Sequence, residues 1–502
     1  MKLAVLHYHL GLGGVTRVVR NHLDALSAAV SGDAGEPLES VTLLFSGESP
    51  DWEYGHYPFA VRERVIDGLA YREDGSDPRT LAEQVRAAIE PGTVLHTHNH
   101  SLGKNAAVPQ AISHLAGDGL PVLLQIHDFA EDFRPDGFSR ILHTLGPSYG
   151  STLYPQRTNT HYAVLNGRDA SVLEAAGVAD GRLHRLPNPV ADPVPLDELA
   201  ALRPSARLKL ASQFAVPEGF EFWVYPVRGI RRKNLGEMVL LAAALHATDR
   251  PVRVGVTLTP ENPRELAYFE AWREFAEARQ LPVLFGTGDP GRLTFAENLA
   301  ASDRLVTTSV AEGFGMVFLE AWLVDRLLVG RRIPAITGDF ESDGLRLDWL
   351  YDSLPIPIDW VGRDDYLAKL AAEFGRLRDG YGLAAGPQGS EATLSVVDEL
   401  ECVDFARLDE LLQKRVIDRV LYDDAAAARI LSFFDGPADP TGIVAANARI
   451  VRERYGLAET GARLMEIYRS VLAAGSRPAD PIDSGVILDR LVSLDQFRLI
   501  RT

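Results

Sequence analysis

Apolar positions along the first half of the chain alternate between short β-rich runs and longer stretches with helical spacing. The runs KLAVLHYHL, SVTLLFS, TVLHTHNH, PVLLQIHDF and HYAVLN each close on a loop containing Gly, Asn, Ser or Asp. That rhythm predicts repeated βαβ units, and so a parallel sheet with functional loops at the carboxyl ends of its strands. Five prolines in RLPNPVADPVPLDELAALRP, Arg185 to Pro204, disfavour a continuous helix or central strand, and this stretch reads as an interdomain linker. The rhythm restarts in EFWVYPVRG, VRVGVTL, LPVLFGTG and RLVTTS, separated by NLGEMVLLAAALHA and NPRELAYFEAWREFAEARQ, which predicts a second α/β domain. From about Asp339 to Pro440 the pattern is irregular, with a glycine-rich piece at LAAGPQGS, before two closing helical stretches, TGIVAANARIVRERYG and AETGARLMEIYRSVL. The expected domains are therefore 1–200, 201–455 with an insertion around 339–440, and 456–502 for the closing helices.

Composition narrows the function. The 502 residues exceed one ordinary core, and 46% hydrophobic with 24% charged residues is the balance of a globular protein. The opening MKLAVLHYHLGLGG is broken by histidines and lacks a small-residue cleavage site, so it reads as a first strand rather than a signal peptide. With no run that looks like a membrane span, a cytoplasmic location is expected. Cys402 is the single cysteine, which excludes an intrachain disulfide framework and a cysteine-based metal cluster within one chain. The formal charge of −18 argues against broad attraction to nucleic acid or anionic lipid, and leaves room for a local basic pocket.

Several segments carry candidate chemistry. In YPVRGIRRKNL, Arg228 lies just past a strand and Lys233 five positions on, at a helix entry. Paired guanidinium donors, a mobile ammonium and exposed amides suit a diphosphate, and a solvated basic turn is the alternative, which fits Arg231 and Arg232. In SVAEGFGMVFLEAW, Gly313 and Gly315 let backbone amides approach a ligand around Phe314. Glu312 in the loop and Glu320 about two turns along the helix can then accept from separate hydroxyl pairs. Gly11, Gly13 and Gly14 stand between the first strand and a helix. As a dinucleotide fingerprint the loop fails, because Thr16 occupies the third glycine position and the second strand ends in Ser46 and Gly47 rather than an acid. His96, His98 and His100 fall on one face of a strand end, where parallel side chains converge poorly on one ion and sugar or acceptor contacts are the better expectation. His127 and Asp128 end another strand, and there a substrate-binding histidine competes with a satisfied core one. Asn166 and Asn188 read as turn residues.

Taken together, these segments resemble the retaining GT-B-fold glycosyltransferases that carry an E-x7-E element, the family 4-like group. The resemblance rests on the glycine loop at Gly11 to Gly14, His127, the turn at Asn188, Arg228 with Lys233, EGFGMVFLE from Glu312 to Glu320, and NARIVRERYGLAETGARLMEIYRSVL. It implies two Rossmann-like domains facing across a cleft, acceptor mainly on the first and donor mainly on the second, with C-terminal helices crossing back to the first. It implies a metal-independent hexosyl transfer from a nucleotide-diphosphate sugar, UDP- or GDP-linked, to a carbohydrate or small polar acceptor, with no cofactor. Arg228 and Lys233 would hold the diphosphate with help from Gly313, Phe314 and Gly315. Glu312 would face the sugar hydroxyls, Glu320 the ribose, and His127 the C6 hydroxyl, while Gly13 and Gly14 approach the reacting centre from the other side. His98, Lys104 and Asn105 in HTHNHSLGKN are the acceptor candidates. Replacing Lys233 should abolish transfer with little loss of folding. A related phosphorylase and a non-catalytic nucleotide-sugar sensor stay open, as do base, sugar, acceptor and self-association.

Overall fold

The computed structural model describes residues 1–11, 13–31, 37–71, 76–383 and 401–501. These residues divide into two compact units. The first comprises Met1–Ala191, Leu377–Ala384 and Arg452–Gln496. The second takes Asp192–Arg376, the described residues up to Val451, and the last residues from Phe497.

The first unit is built on seven strands: β1 (Lys2–His9), β2 (Ser40–Ser46), β3 (Ala60–Val65), β4 (Thr93–His98), β5 (Val122–Ile126), β6 (Thr160–Val164) and β7 (Leu183–Arg185). Every pairing is parallel, in the order β3-β2-β1-β4-β5-β6-β7. The inner strands are buried apart from the two ends of β1, as sheets covered on both faces must be, whereas β3 exposes Ala60, Arg62, Glu63, Arg64 and Val65 to different degrees as a charged edge. One face is covered by the helix Gly14–Val30 and by the late helix Leu457–Ala473, whose Leu464, Met465, Tyr468 and Val471 join Leu3, Val19 and Leu23 in one core. These two helices cross closely because Gly461 seats on the Ala25 carbonyl, where any Cβ would collide.

The second unit repeats the plan with β8 (Glu221–Arg228), β9 (Val252–Leu258), β10 (Val283–Phe285), β11 (Arg304–Thr307) and β12 (Leu327–Gly330), all parallel, in the order β10-β9-β8-β11-β12. Its central helix Leu235–Ala247 is buried along most of its length. Below it Arg331 forms paired hydrogen bonds to Glu237 at 2.7 and 2.9 Å and to Asp404 at 2.7 and 3.0 Å, and Tyr351 donates to Glu237 at 2.8 Å.

The structure corrects the sequence reading in two places. The stretch Arg185–Pro204 becomes helical from Leu196, and the helix Leu196–Phe214 runs through Pro204. Proline in a helix interior costs about 3 kcal/mol. Arginines on either side of it anchor the helix: Arg203 donates to the carbonyls of Ala300 and Ser302 at 3.0 and 2.7 Å, and Arg207 lies 4.4 Å from the Phe220 ring centroid. The irregular part after Asp339 is largely regular where it is described, with helices Arg363–Gly380, Glu410–Val420 and Asp424–Ser432. Residues 384–400, which hold nearly all of the glycine-rich piece, lie outside the described residues.

Candidate functional site

Both sheets reverse strand order once beside their first strand, between β1 and β4 in the first unit and between β8 and β11 in the second. In doubly wound sheets the crevice beyond the carboxyl ends of the two strands at such a reversal is where ligands bind.

At the second reversal the loop after β8 and the loop after β11 are tied together. Val310 N donates to the Arg232 carbonyl at 3.0 Å, and Thr308 Oγ1 to the carbonyls of Lys233 and Asn234 at 2.9 and 3.1 Å. Asn234 adopts a left-handed φ of 50°, which ends the short turn Arg231–Lys233 and starts the central helix. Its side chain donates to Glu237 at 2.9 Å and accepts from Gln413 at 2.9 Å, so the buried Arg331 network reaches the residue after Lys233. The Lys233 ammonium bonds Glu312 directly, Arg232 Nη1 lies 3.5 Å from the other carboxylate oxygen, and Ser309 Oγ, itself 2.5 Å from Tyr225 Oη, donates to Glu312 at 2.5 Å. Burial pushes Glu312 upward, but Lys233 and Arg232 outweigh it and hold the carboxyl below its ordinary range; burial lowers Lys233 against the attraction of Glu312. The following loop needs Gly315, whose φ is 83° and whose Cβ would press on Phe318, while Phe314 is buried edge-on against Phe340.

At the first reversal the chemistry is imidazole. His96 and His98 stack at 4.4 Å, and His22 of the helix Gly14–Val30 lies 5.6 and 5.5 Å from them. His98 Nδ1 meets His127 Nε2 at 2.9 Å, and His96 bonds the Tyr468 hydroxyl at 2.8 Å and Gln125 Oε1 at 3.0 Å. Burial drives all four rings toward the neutral form, His96 to about 3 and His127 to about 4, with neighbouring histidines adding to the shift on His22, His96 and His98. One nitrogen from each of His22, His96 and His98 lies within 4.8 Å of the others, yet the His96 ring lies within 28° of parallel to both of its neighbours, which aims its in-plane lone pairs alongside theirs rather than at a shared point. Gly13 and Gly14 lead the helix Gly14–Val30, and a Cβ on Gly14 would meet open space.

The chain's likeness to known proteins fits this geometry. No protein-family model matches it. A sucrose-phosphate synthase from Thermosynechococcus elongatus superposes with a TM-score of 0.51 at 14% identity, covering 94% of this chain and 99% of that one. A glycosyltransferase from Rickettsia africae does so with a TM-score of 0.52 at 13% identity, covering 94% and 98%. The fold is that of the GT-B glycosyltransferases. In sequence, a mannosylglucosyl-3-phosphoglycerate synthase from Petrotoga mobilis is 27% identical over 352 residues, 68% of this chain. The chain matches 66% of that relative's length, just under two thirds.

Within the GT-B fold the expected site residues sort unevenly. Lys233, Glu312 and the Gly313–Gly315 loop come together; Arg228 is exposed and pairs with Glu261 at 3.1 Å, and Arg232, read as a solvated turn residue, reaches Glu312 beside Lys233. Glu320 falls in the first turn of the helix Val317–Leu323 rather than two turns along, because residues 312–316 are not helical, and it lines a pocket with Pro226, Phe295, Leu299 and Val317. His98 is wholly buried, and Asn105 bonds the carbonyls of Gly68 and Ala70 at 2.9 and 2.8 Å and the amide of Ala107 at 3.0 Å, so both are scaffold rather than acceptor contacts. His100 leaves the shared face to bond the Leu153 carbonyl at 2.7 Å. Lys104 is exposed. Two residues escaped the sequence reading. His22 falls on the buried stripe of its helix with Val18, Val19 and Leu26, a position that helical periodicity marks. Glu131, buried against the Tyr154 hydroxyl at 3.1 Å and pushed by burial up to about 7, left no pattern to find it by.

Proposed function

We propose that this protein is a retaining glycosyltransferase that moves a hexose from a nucleotide-diphosphate sugar to an acceptor hydroxyl. The observation that carries the reading is the joining of Lys233 and Glu312 from two loops at the second strand reversal, next to the Gly313–Gly315 backbone. The similarity to the Petrotoga mobilis synthase and the GT-B fold support it. In this reading the second unit holds the donor and the first the acceptor. Lys233, with Arg228 recruited from the rim, holds the diphosphate, the Gly313, Phe314 and Gly315 amides assist, Glu312 accepts from the sugar hydroxyls and Glu320 from the ribose.

The acceptor oxygen bonds to the anomeric carbon as the bond from that carbon to the β-phosphate oxygen breaks, on the same face. The acceptor's proton passes to the departing β-phosphate, giving a glycoside and a nucleoside diphosphate. The protein supplies position and charge to the leaving group, and one preorganised donor is worth about 3 to 4 kcal/mol in such sites. No metal is required in this scheme, because cations of the chain face the diphosphate. His127, neutral and fixed through Nε2 to His98, offers its remaining ring nitrogen to the sugar's C6 hydroxyl.

The test is thermal protection by UDP, GDP and ADP beside inorganic phosphate, because a ligand of the folded state raises the melting temperature. Protection by at least one nucleotide, followed by a donor screen with anomeric analysis of the product, is the expected result. Protection by phosphate with none by any nucleotide overturns the reading in favour of a phosphorylase.

A further inference from the structure

Above the buried histidines, the loops at the first strand reversal gather cations. Lys104, in the loop after β4, is exposed and its ammonium lies 5.6 Å from the centroid of the Tyr71 ring. Arg140 Nε donates to the Gly103 carbonyl at 3.1 Å, which fixes its guanidinium against the backbone next to Lys104. Arg134, from the loop after β5, pairs with Asp128 at 2.9 Å. The Tyr71 ring beside Lys104 stands half exposed, 5.1 Å from Tyr8 and 5.3 Å from His9 at the end of β1.

The signs of these charges are what need explaining. The chain has 69 acidic against 51 basic residues, so acids are in excess for pairing. Arg134 has Asp128, yet neither Lys104 nor Arg140 has a carboxylate within 4 Å among the described residues. After burial, Arg134 and Arg140 are the groups that lower the Lys104 pKa, so like charges are held together here against their repulsion. Like charges that find no carboxylate among the described residues are held together where an anion supplies the missing charge.

We propose that Lys104 and Arg140, with Arg134 at their side and the Tyr71 ring as a wall, form a binding site for a phosphate monoester, and that the acceptor carries this group. The proposal rests on reading the first unit as the acceptor half. It makes the acceptor a phosphorylated sugar or polyol whose free hydroxyl is glycosylated while its phosphate is held at the β1–β4 reversal.

The experiment titrates glucose 6-phosphate, with glucose as the uncharged control, into the whole protein by calorimetry. It is run with saturating nucleotide, so that the donor-side cations are occupied. Lys104→Met and Arg140→Met are expected to weaken glucose 6-phosphate binding about tenfold each, the loss of one charge-assisted contact, and to leave nucleotide binding unchanged. Both side chains reach the surface, so the variants are expected to fold, and retained nucleotide binding checks this. The inference is overturned if glucose 6-phosphate binds no better than glucose, or binds the variants as well as the parent. If a Lys233→Met, Glu312→Gln variant loses the phosphate ligand while Lys104→Met keeps it, the anion belongs to the second unit and the inference also fails. Absence of nucleotide binding with phosphate binding intact would instead remove the glycosyltransferase reading and leave the anion site standing.

Discussion

The two strand reversals share a topology and handle charge in opposite ways. In the second unit Lys233 and Arg232 are already matched by a carboxylate, Glu312, whose side chain is only 9% exposed. In the first, buried imidazoles are neutral and the cations above them, Lys104 and Arg140, have no acid partner among the described residues. A ligand at the second reversal must therefore exchange with Glu312 for the lysine, whereas one at the first simply adds to waiting charge. Exchange favours a strong anion such as a diphosphate and frees Glu312 to accept from hydroxyls at the moment of binding.

The sharpest way to break this contrast is at Lys233. Transfer by Lys233→Met should fall about 10²- to 10³-fold, the effect of one preorganised donor. From sequence alone the substitution should spare folding, but the largely enclosed pair with Glu312 changes that expectation. The Lys233 and Glu312 side chains keep 13% and 9% of their exposure, so the cost lies below the about 3 to 5 kcal/mol of a fully buried pair, in which removing one partner strands the other charge. Here Arg232 and Ser309 still face Glu312, so a melting temperature lowered by several degrees is expected rather than outright unfolding. Adding Glu312→Gln should restore the melting temperature and leave transfer no higher than in Lys233→Met. A double variant no more stable than Lys233→Met would mean that the pair does not act as a unit.

Acid separates the two units next. A histidine whose folded pKa is depressed stabilises the fold above its unfolded value near 6.5, and that stability is lost as pH falls from there toward the folded value. His7 and His96, at about 3, and His100 and His127, at about 4, all behave this way in the first unit. Each contributes a loss of about 2 kcal/mol by pH 5, at about 1.4 kcal/mol per pH unit. Glu131, raised to about 7, acts in the opposite sense, gaining stability as pH falls, but it is one group against several. Glu312, being depressed, keeps its contribution until pH falls below the ordinary carboxylate value. Hydrogen exchange followed by mass spectrometry should then show the first unit losing protection between pH 6 and 5 while peptides around Glu312 stay protected. Simultaneous loss below pH 4.5 would erase the contrast. Within the same experiment His22→Leu should raise the first unit's stability by about 1 to 2 kcal/mol, since both ring nitrogens of His22 are buried and find no partner among the described residues.

Which parts of this were legible beforehand follows from the physics of each segment. The strands that lead into the two reversals are buried apolar runs ending in loop residues, so their positions and the chemistry at their ends could be read directly. β3 was missed because Arg62, Glu63 and Arg64 give an edge strand the look of a loop, and β12 because LLVG follows the helix Val317–Leu323 across only a few residues. The pairing of Lys233 with Glu312 lies beyond any pattern, since the two residues are far apart in sequence and only parallel β8–β11 pairing brings their loops together. Asn105 looked like a ligand because it sits in a histidine-rich loop, whereas its amide was needed to bond the backbone after β3. Local sequence shows which groups a loop carries, and tertiary hydrogen bonds decide which of them remain for a ligand.

Glu320 gives a smaller effect of the same kind. Its pocket is otherwise lined by apolar and proline side chains, so a hydroxyl pair of the donor entering there would find few other acceptors. Glu320→Ala should raise the donor KM about tenfold, the value of a charged hydrogen bond, with kcat little changed. A change in acceptor KM instead would move Glu320 out of the donor site.

The smallest effect concerns the rim. Arg228 and Glu261 form an ion pair whose side chains are 44% and 79% exposed, and pairs of this kind are worth about 0 to 1 kcal/mol. If donor binding draws Arg228 away from Glu261, then Glu261→Gln removes a competitor for the guanidinium and should tighten donor binding by up to about fivefold at low salt, with the gain shrinking as salt is raised. Arg228→Ala in that background should abolish the gain. No such gain is expected at Lys104, which has no acid partner among the described residues, so the direction of this small effect tests whether Arg228 is kept paired in advance. Weaker donor binding by Glu261→Gln would mean that Glu261 orients Arg228 rather than competes for it.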